Sequence, residues 1–351
     1  MPESYLVLGG SGLIGRYIAK KLFDRGDVVA VLDLVQRYDD IPFHSGDICD
    51  EGAVISVLKK TGATCVFHTA SPLATEGEAT TFRKVNVEGT RNVISACVEA
   101  KVPKLVYTSS SGIIFAGHCE RSEATVGING ADETHPLPEK GCQAYHETKI
   151  IAERMILQAN GKNGLFTCAL RPSGVFGPGD RVMIAAMWKQ YQAGRTSIQI
   201  GNNKNRVDWT SVQNAADAHI LAADYLLSPL HSDAPVAGEA FFITNDDPWM
   251  FWDFANGVWD RFDKHFPGKR VKKQPFVIPQ LLSLILATIM EIQGWITGKR
   301  PIMTRYVVLM SSVPRWHNIS KAKTALGYVP EVSMEEELDN MAEVCLSSHS
   351  F

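Results

Sequence analysis

The sequence predicts an α/β protein: a doubly wound parallel sheet followed by a smaller, mostly C-terminal lobe. Three observations carry this expectation. Short apolar runs of strand length alternate with helical patterns through the first half of the chain. A glycine-rich turn, Gly9-Gly10-Ser11-Gly12-Leu13-Ile14-Gly15, separates the first run from the first helix. An acid, Asp33, closes the second run.

Taken in order, Tyr5–Leu8 is a buried strand, and the helix after the glycine turn is marked by Ile18, Leu22 and Phe23. Gly26 ends that helix, and Val28–Leu32 is the next strand, which makes a βαβ unit of Rossmann type. A short strand near Pro42–His44 leads into Gly46-Asp47-Ile48. A helix over Glu51–Thr61, a strand over Thr64–His68 and a long helix over Ala79–Ala100 follow, the last with Val85, Val93, Ile94 and Cys97 inward. Lys104–Thr108 is a strand that runs into Ser109-Ser110-Ser111, and Gly112–Gly141 reads as loop. A helix holding Tyr145 and Lys149 runs to Asn160, and Leu165–Leu170 is a further strand. Residues 1–178 are thus expected to form a dinucleotide-binding domain, its sheet completed by parts of 205–245, with 179–351 as a substrate-binding lobe. In that lobe the pattern weakens to helices near Val182–Ala193 and Val212–Leu227 and strands near Ser197–Ile200 and Ala240–Thr244.

Bulk properties remove several classes of function. A net charge of -3 over 351 residues gives no support for nucleic acid as a partner. Cys49, Cys65, Cys97, Cys119, Cys142, Cys168 and Cys345 are scattered and contain no Cys-x-x-Cys. Reduced thiols in a cytosol-facing protein are expected, rather than disulfides or zinc. Neither a His-x-x-x-His pair nor a Gly-x-Ser-x-Gly elbow occurs. Pro279–Ile296 is the most apolar stretch, with Lys269, Arg270, Lys272 and Lys273 before it and Lys299 and Arg300 after it. Its uninterrupted core, Leu281–Met290, falls short of the roughly 20 residues of a bilayer span. An interfacial helix, or one buried against the lobe or a partner subunit, is expected.

The candidate chemistry centres on Tyr145 and Lys149, which share a helix face at a spacing of four. An ammonium beside a phenol favours the phenolate, a base able to take an alcohol proton near neutral pH. The glycine turn, with Gly9, Gly12 and Gly15, lets a pyrophosphate approach the backbone at a helix N-terminus. Asp33 can accept both ribose hydroxyls of NAD and would repel a 2′-phosphate, a repulsion Arg37 can soften, so NAD is expected with NADP as the alternative. Asp47 and Ile48 would cap the adenine. Ser110, at the carboxyl end of a parallel strand, can bond the substrate oxygen, with Ser109 and Ser111 leaving the register open by one.

These residues together resemble the extended short-chain dehydrogenase/reductase family. The segments His68-Thr69-Ala70-Ser71-Pro72, Val85–Thr90, Arg171–Asp180 and Val207-Asp208-Trp209-Thr210, with Arg300-Pro301 after the apolar helix, resemble its 3β-hydroxysteroid dehydrogenase branch. The resemblance implies Tyr145 as acid/base, Lys149 as its cation and ribose ligand, and Ser110 as the group orienting the substrate oxygen. It further implies a dinucleotide held by Gly9, Ser11, Gly12, Leu13, Ile14, Gly15, Asp33, Asp47, Ile48, Ala70, Ser71, Tyr145, Lys149, Pro172 and Val175. The implied activity is oxidation of the 3β-hydroxyl of a 4α-carboxysterol, with loss of the carboxylate as carbon dioxide. Other implied features are peripheral attachment to the cytosolic face of the endoplasmic reticulum, a homodimer, and association with other enzymes of sterol C-4 demethylation. Met183, Met187, Trp188, Trp209, Phe241 and the apolar helix are candidate walls for such a substrate, and Asp208 reads as a structural acceptor. An NADPH-dependent ketone reductase or 3β-hydroxysteroid dehydrogenase acting on another apolar metabolite, and a dinucleotide-sensing regulator, are the two alternatives. The second is disfavoured because both Tyr145 and Lys149 are present.

Overall fold

The computed structural model describes residues 3–74, 77–115, 127–141, 143–227, 235–270, 273–299 and 301–347. Cys119, Cys142, Lys272 and Arg300 lie outside them, as does the side chain of Cys345. Seven parallel strands form one sheet, in the order Ala240–Ile243, Phe166–Pro172, Lys104–Thr108, Cys65–His68, Ser4–Leu8, Val28–Asp33, Phe43–Ser45. Chain order reverses between Cys65–His68 and Ser4–Leu8, which both pair along their length. A crevice opens there at the carboxyl edge, where ligands of doubly wound sheets collect.

The continuous apolar runs follow from burial on both faces. Tyr5, Val7, Val31 and Phe67 enter one core, and Leu6, Leu8, Leu32 and Val66 enter the other, in strict alternation. Truncating any of these to Ala removes buried surface on a sheet with no slack, at a cost of about 2–5 kcal/mol. The first helix, Leu13–Arg25, ends on Gly26 at φ 91, the left-handed cap that the sequence signals.

The expected long helix over Ala79–Ala100 is broken. An α-turn over Ala79–Phe82 passes into a π-helical segment, Arg83–Gly89, before α-geometry resumes over Thr90–Glu99. The wider turn changes which residues face in: Asn86, Val87 and Gly89 are buried, and Val85 is only half-buried. Part of Gly112–Gly141, expected as loop, is structured: Gly112–Phe115 is helical, and Ile128–Ala131 is a strand paired in parallel with Arg315–His317. That pair belongs to a second, four-stranded sheet completed by Arg206–Val207 and Trp249–Met250.

The second lobe is more helical than its sequence pattern showed, with helices Phe251–His265, Arg305–Ser312, Ser320–Leu326 and Met334–Ser347. Its core gathers Met187, Trp188, Trp209, Phe254, Trp259 and Phe262. Trp209 stacks on Phe254 with ring centroids 3.8 Å apart. Met187, Trp188 and Trp209 pack inside the lobe, and Phe241 lies in the core of the main sheet. Asp208 accepts from both the backbone N–H and Nδ1 of His317, at 2.6 and 3.0 Å, in the structural role expected of it.

The apolar stretch forms one helix, Gln280–Thr297, continuing through Glu291 and Gln293. By length and composition it is sufficient to cross a membrane, more than the sequence pattern allowed. Only Ser283 and Ala287 are buried, and Leu281, Ile289 and Trp295 are 72%, 56% and 86% exposed. The apolar face points away from the rest of the chain.

Candidate active site

The glycine turn is shaped by close approach. Gly9 takes φ 81, and a Cβ on it would lie 2.7 Å from the backbone of Ala70. A Cβ on Gly15 would lie 2.4 Å from the Gly9 carbonyl oxygen and 2.6 Å from Thr69 Oγ1. Gly12, by contrast, meets only the Gly9 carbonyl, at 3.1 Å. Gly12 also caps the helix Leu13–Arg25, whose first turn carries no acid and no side-chain cap. Its N–H groups and dipole are thus offered to an anion. Asp33 closes the far side: its Oδ2 accepts the Ser11 N–H at 2.9 Å and its Oδ1 the Leu34 N–H at 2.7 Å. Arg37 donates to the Ser11 carbonyl at 3.1 Å, which sets a cation against the same turn. Asp47 Oδ1 accepts the Cys49 N–H at 2.9 Å, and Ile48 packs against Gly89.

The catalytic candidates meet at the sheet's carboxyl edge. Ser109 and Ser111 donate backbone N–H groups to Leu170 and Pro172, which fixes the register and leaves Ser110 facing the helix Ala144–Ala159. Ser110 lies close enough to Tyr145 to act on its phenol, and its Oγ accepts the Gly112 N–H at 3.2 Å. Lys149 is buried; its Nζ donates to the Thr108 carbonyl at 2.8 Å and lies 4.8 Å from the Tyr107 ring centre. Burial lowers Lys149 to about 7, opposed by the Glu153 carboxylate. Burial also pushes the Tyr145 phenol up to about 12, with Tyr306 adding to the rise and Ser110 opposing it. This is the reverse of the lowering expected from Lys149, because the ammonium is directed at the strand carbonyl and the phenol is desolvated.

Hydrogen bonds and contacts join the two halves. Gly9 abuts Ala70; Ser71 donates to Asn86 Oδ1 at 2.9 Å; Asn86 donates to Thr148 Oγ1 at 3.0 Å. Pro172 lies beside Ser111 through its carbonyl. Val175 is held in a separate strand pair with Thr210, and no hydrogen bond among the described residues draws it to the catalytic set.

Three residues missed in the sequence line the other side of Tyr145. His146 packs edge-on to Tyr145 with centroids 5.4 Å apart, and Tyr306 lies 5.9 Å from His146. Burial and the nearby Arg315 lower His146 to about 4, so it is neutral. Arg315 acts on Tyr306 as well. It donates to the Met310 carbonyl, yet its Nε is shielded from solvent and without a partner; among the described residues no carboxylate lies within ion-pair distance of it, and Asp208 acts on it from farther off. A cavity of about 110 Å³ between Gln199, Trp252 and Arg270 shares no residue with this set.

The doubly wound sheet, its glycine turn and the Ser-Tyr-Lys set at its carboxyl edge define an oxidoreductase of the extended short-chain dehydrogenase class. The chain belongs to the 3-beta hydroxysteroid dehydrogenase/isomerase family, whose profile matches residues 6–272. It is 39% identical to the decarboxylating sterol-4-alpha-carboxylate 3-dehydrogenase of Saccharomyces cerevisiae, over 96% of each chain. To the mouse (Mus musculus) enzyme of the same description it is 34% identical, over 96% of this chain and 89% of that one. Among solved structures, the NAD complex of Thermus thermophilus UDP-glucose 4-epimerase matches with a TM-score of 0.70 at 22% identity, covering 97% of this chain and 98% of that one. A likeness at that level speaks for the fold alone.

Proposed function

We propose that the protein oxidises the 3β-hydroxyl of a 4α-carboxysterol to the 3-ketone, with NAD as hydride acceptor and loss of the carboxylate as carbon dioxide. The observation that carries this is the meeting of Ser110, Tyr145 and Lys149 in a chain 39% identical, nearly end to end, to an enzyme so described. The dinucleotide fits the residues present: a Cβ-free cradle at Gly9, Gly12 and Gly15, an uncapped helix start at Leu13 and Ile14, and Asp33 aimed at the turn. Asp33 favours NAD, and Arg37 keeps NADP as the alternative to test.

The bound nicotinamide supplies the hydride acceptor and, when oxidised, a positive charge. Tyr145, as phenolate, takes the hydroxyl proton of the sterol, and Ser110 donates to the same oxygen. Lys149 supplies a fixed cation, held in place by the Thr108 carbonyl. The product is a β-keto acid. Its C4–carboxylate bond breaks, the electron pair moves into the C3 oxygen as an enolate, and carbon dioxide leaves. Tyr145 and Ser110 already hold that oxygen, so the same donors face the developing charge and no separate base is required. Arg315, the unpaired cation on the Tyr306–His146 side, is our candidate to hold the 4-carboxylate before it departs.

The exposed face of Gln280–Thr297, flanked by Lys273 and Lys299, is read as the surface that rests on a lipid bilayer, with the cytosolic face of the endoplasmic reticulum as the setting. The helices Ala79–Glu99 and Ala144–Ala159 are read as the two-fold contact of a homodimer; sedimentation as a monomer at micromolar concentration would refute it. Contact with other enzymes of sterol C-4 demethylation belongs to the same proposal.

The deciding assay mixes purified protein with a 4α-carboxysterol and either NAD or NADP, following nicotinamide absorbance and carbon dioxide release. Reduction and release in step support the reading. Reduction without release removes the decarboxylation, and neither signal removes the substrate assignment.

A further inference from the structure

The helix Ala144–Ala159 carries Tyr145, Lys149 and Glu153 at intervals of four, on one face. Glu153 is fully buried, and Arg171 holds both its oxygens: Nε at 3.2 and 3.0 Å, and a terminal nitrogen at 2.6 Å from Oε1. Arg171 lies in the strand Phe166–Pro172, next to Pro172. Burying such a pair seldom stabilises a fold more than apolar groups of the same size would. Its place one turn from a buried lysine asks for another reason.

The surroundings of Lys149 supply one. Its Nζ meets the Thr108 carbonyl and the Tyr107 ring, with His68 nearby and Tyr145 one turn back on the helix as the other titratable groups. None of these carries a negative charge beside the ammonium at neutral pH. Glu153 is the carboxylate that acts on it among the described residues. The guanidinium of Arg171 lies beyond, 5.1 Å from the Phe242 ring centre and facing Glu133. The carboxylate thus stands one helical turn from Lys149, held by a guanidinium that comes from the neighbouring strand.

We propose that Glu153, clamped by Arg171, is a positioning residue that keeps Lys149 an ammonium in its desolvated site. Arg171 fixes the carboxylate in place and prevents it from bonding Lys149 directly, which would draw Nζ away from the Thr108 carbonyl. The proposal rests on the reading of Lys149 as the cation that serves Tyr145.

The test reads the charge of Lys149 without substrate. Protein labelled with 13C-lysine is titrated by NMR, and Lys149→Met identifies the resonance. The unchanged protein is expected to titrate near 7. Glu153→Gln moves that midpoint down by about one pH unit, and Arg171→Met, which frees the carboxylate, moves it up. Should either single variant fail to fold, the double variant E153M/R171M replaces the pair by apolar groups and is expected to move the midpoint down. An unmoved midpoint in Glu153→Gln or in the double variant, or shifts of the same sign in the two single variants, overturns the proposal. In parallel, dinucleotide-linked oxidation is measured against pH. In Glu153→Gln, kcat is expected to fall roughly tenfold at pH 7.5 with KM little changed. Dehydrogenation that survives intact in Lys149→Met defeats the functional reading instead, and the titration separates that failure from this one.

Discussion

In the mechanism proposed above, Tyr145 is a poor base as the chain alone presents it. Its phenol, held up near 12, must lose its proton with help from Ser110, from Lys149 and from the charge of an oxidised nicotinamide. Tyr145→Phe removes the proton acceptor while keeping the ring that packs on Phe82 and His146. Its kcat is expected to fall by about 10³, with dinucleotide affinity unchanged within a few-fold by fluorescence titration. Activity near wild type would exclude the mechanism. Arg315→Met should lower kcat/KM for a 4α-carboxysterol by about 10² and leave a 3β-hydroxysterol lacking the carboxylate within about threefold. Equal losses on both substrates would make Arg315 a purely structural group that holds the Met310 carbonyl. The contrast between these residues shows what a sequence can disclose. Tyr145 and Lys149 are legible because helical spacing is local. Arg315 and Tyr306 reach the same site from far along the chain, carried by the three-residue strand Arg315–His317 and the eight-residue helix Arg305–Ser312. Neither is long enough to show a period.

At the scale of elements, the glycine turn was legible in full, because only small residues allow a strand end, a helix start and Ala70 to meet as closely as they do. Gly15→Ala should cost about 2 kcal/mol or more in denaturant unfolding and weaken dinucleotide binding at least tenfold, since its Cβ would collide with the Gly9 carbonyl. The π-helical segment Arg83–Gly89 was not legible. Its cause is tertiary: Asn86 is drawn inward to bridge Ser71 and Thr148, and Gly89 is pressed onto Ile48. No apolar period records a buried asparagine. The helix Gln280–Thr297 was legible as apolar, but which way it faces was not. Replacing the exposed Leu281, Ile285 and Ile289 by Gln should leave stability within about 0.5 kcal/mol per site, because these side chains are half or more exposed and lie outside the cores. The same variant should lose cosedimentation with anionic liposomes. Unchanged sedimentation would defeat the lipid reading.

For the molecule as a whole, three histidines set a limit in acid. His68, His146 and His219 are buried, with pKa values lowered to about 3, 4 and 4 by desolvation. The unfolded chain takes up these protons near pH 6.5 and the folded chain only near 4, so stability is present above 6.5 and is lost as pH falls between the two. Three such groups give a slope of about 4 kcal/mol per pH unit around pH 5. Denaturant midpoints that agree at pH 7 and pH 5 would contradict this. The way the second lobe is tied together carries a different consequence. Glu291, on the apolar helix, accepts both the backbone N–H and the Nε of Arg305, at 2.8 and 2.7 Å. The next residue, Tyr306, lies over His146 beside Tyr145. One clasp thus joins the outward apolar ridge to the rim of the catalytic set. On the reading that the ridge lies in lipid, the reacting carbon would stand above the hydrocarbon, behind the helix, Tyr306 and His146. A flat, rigid tetracycle could then tip its polar end upward into the site while its hydrocarbon tail stayed in the bilayer. Turnover would follow the sterol's two-dimensional density in the membrane, not its concentration in water.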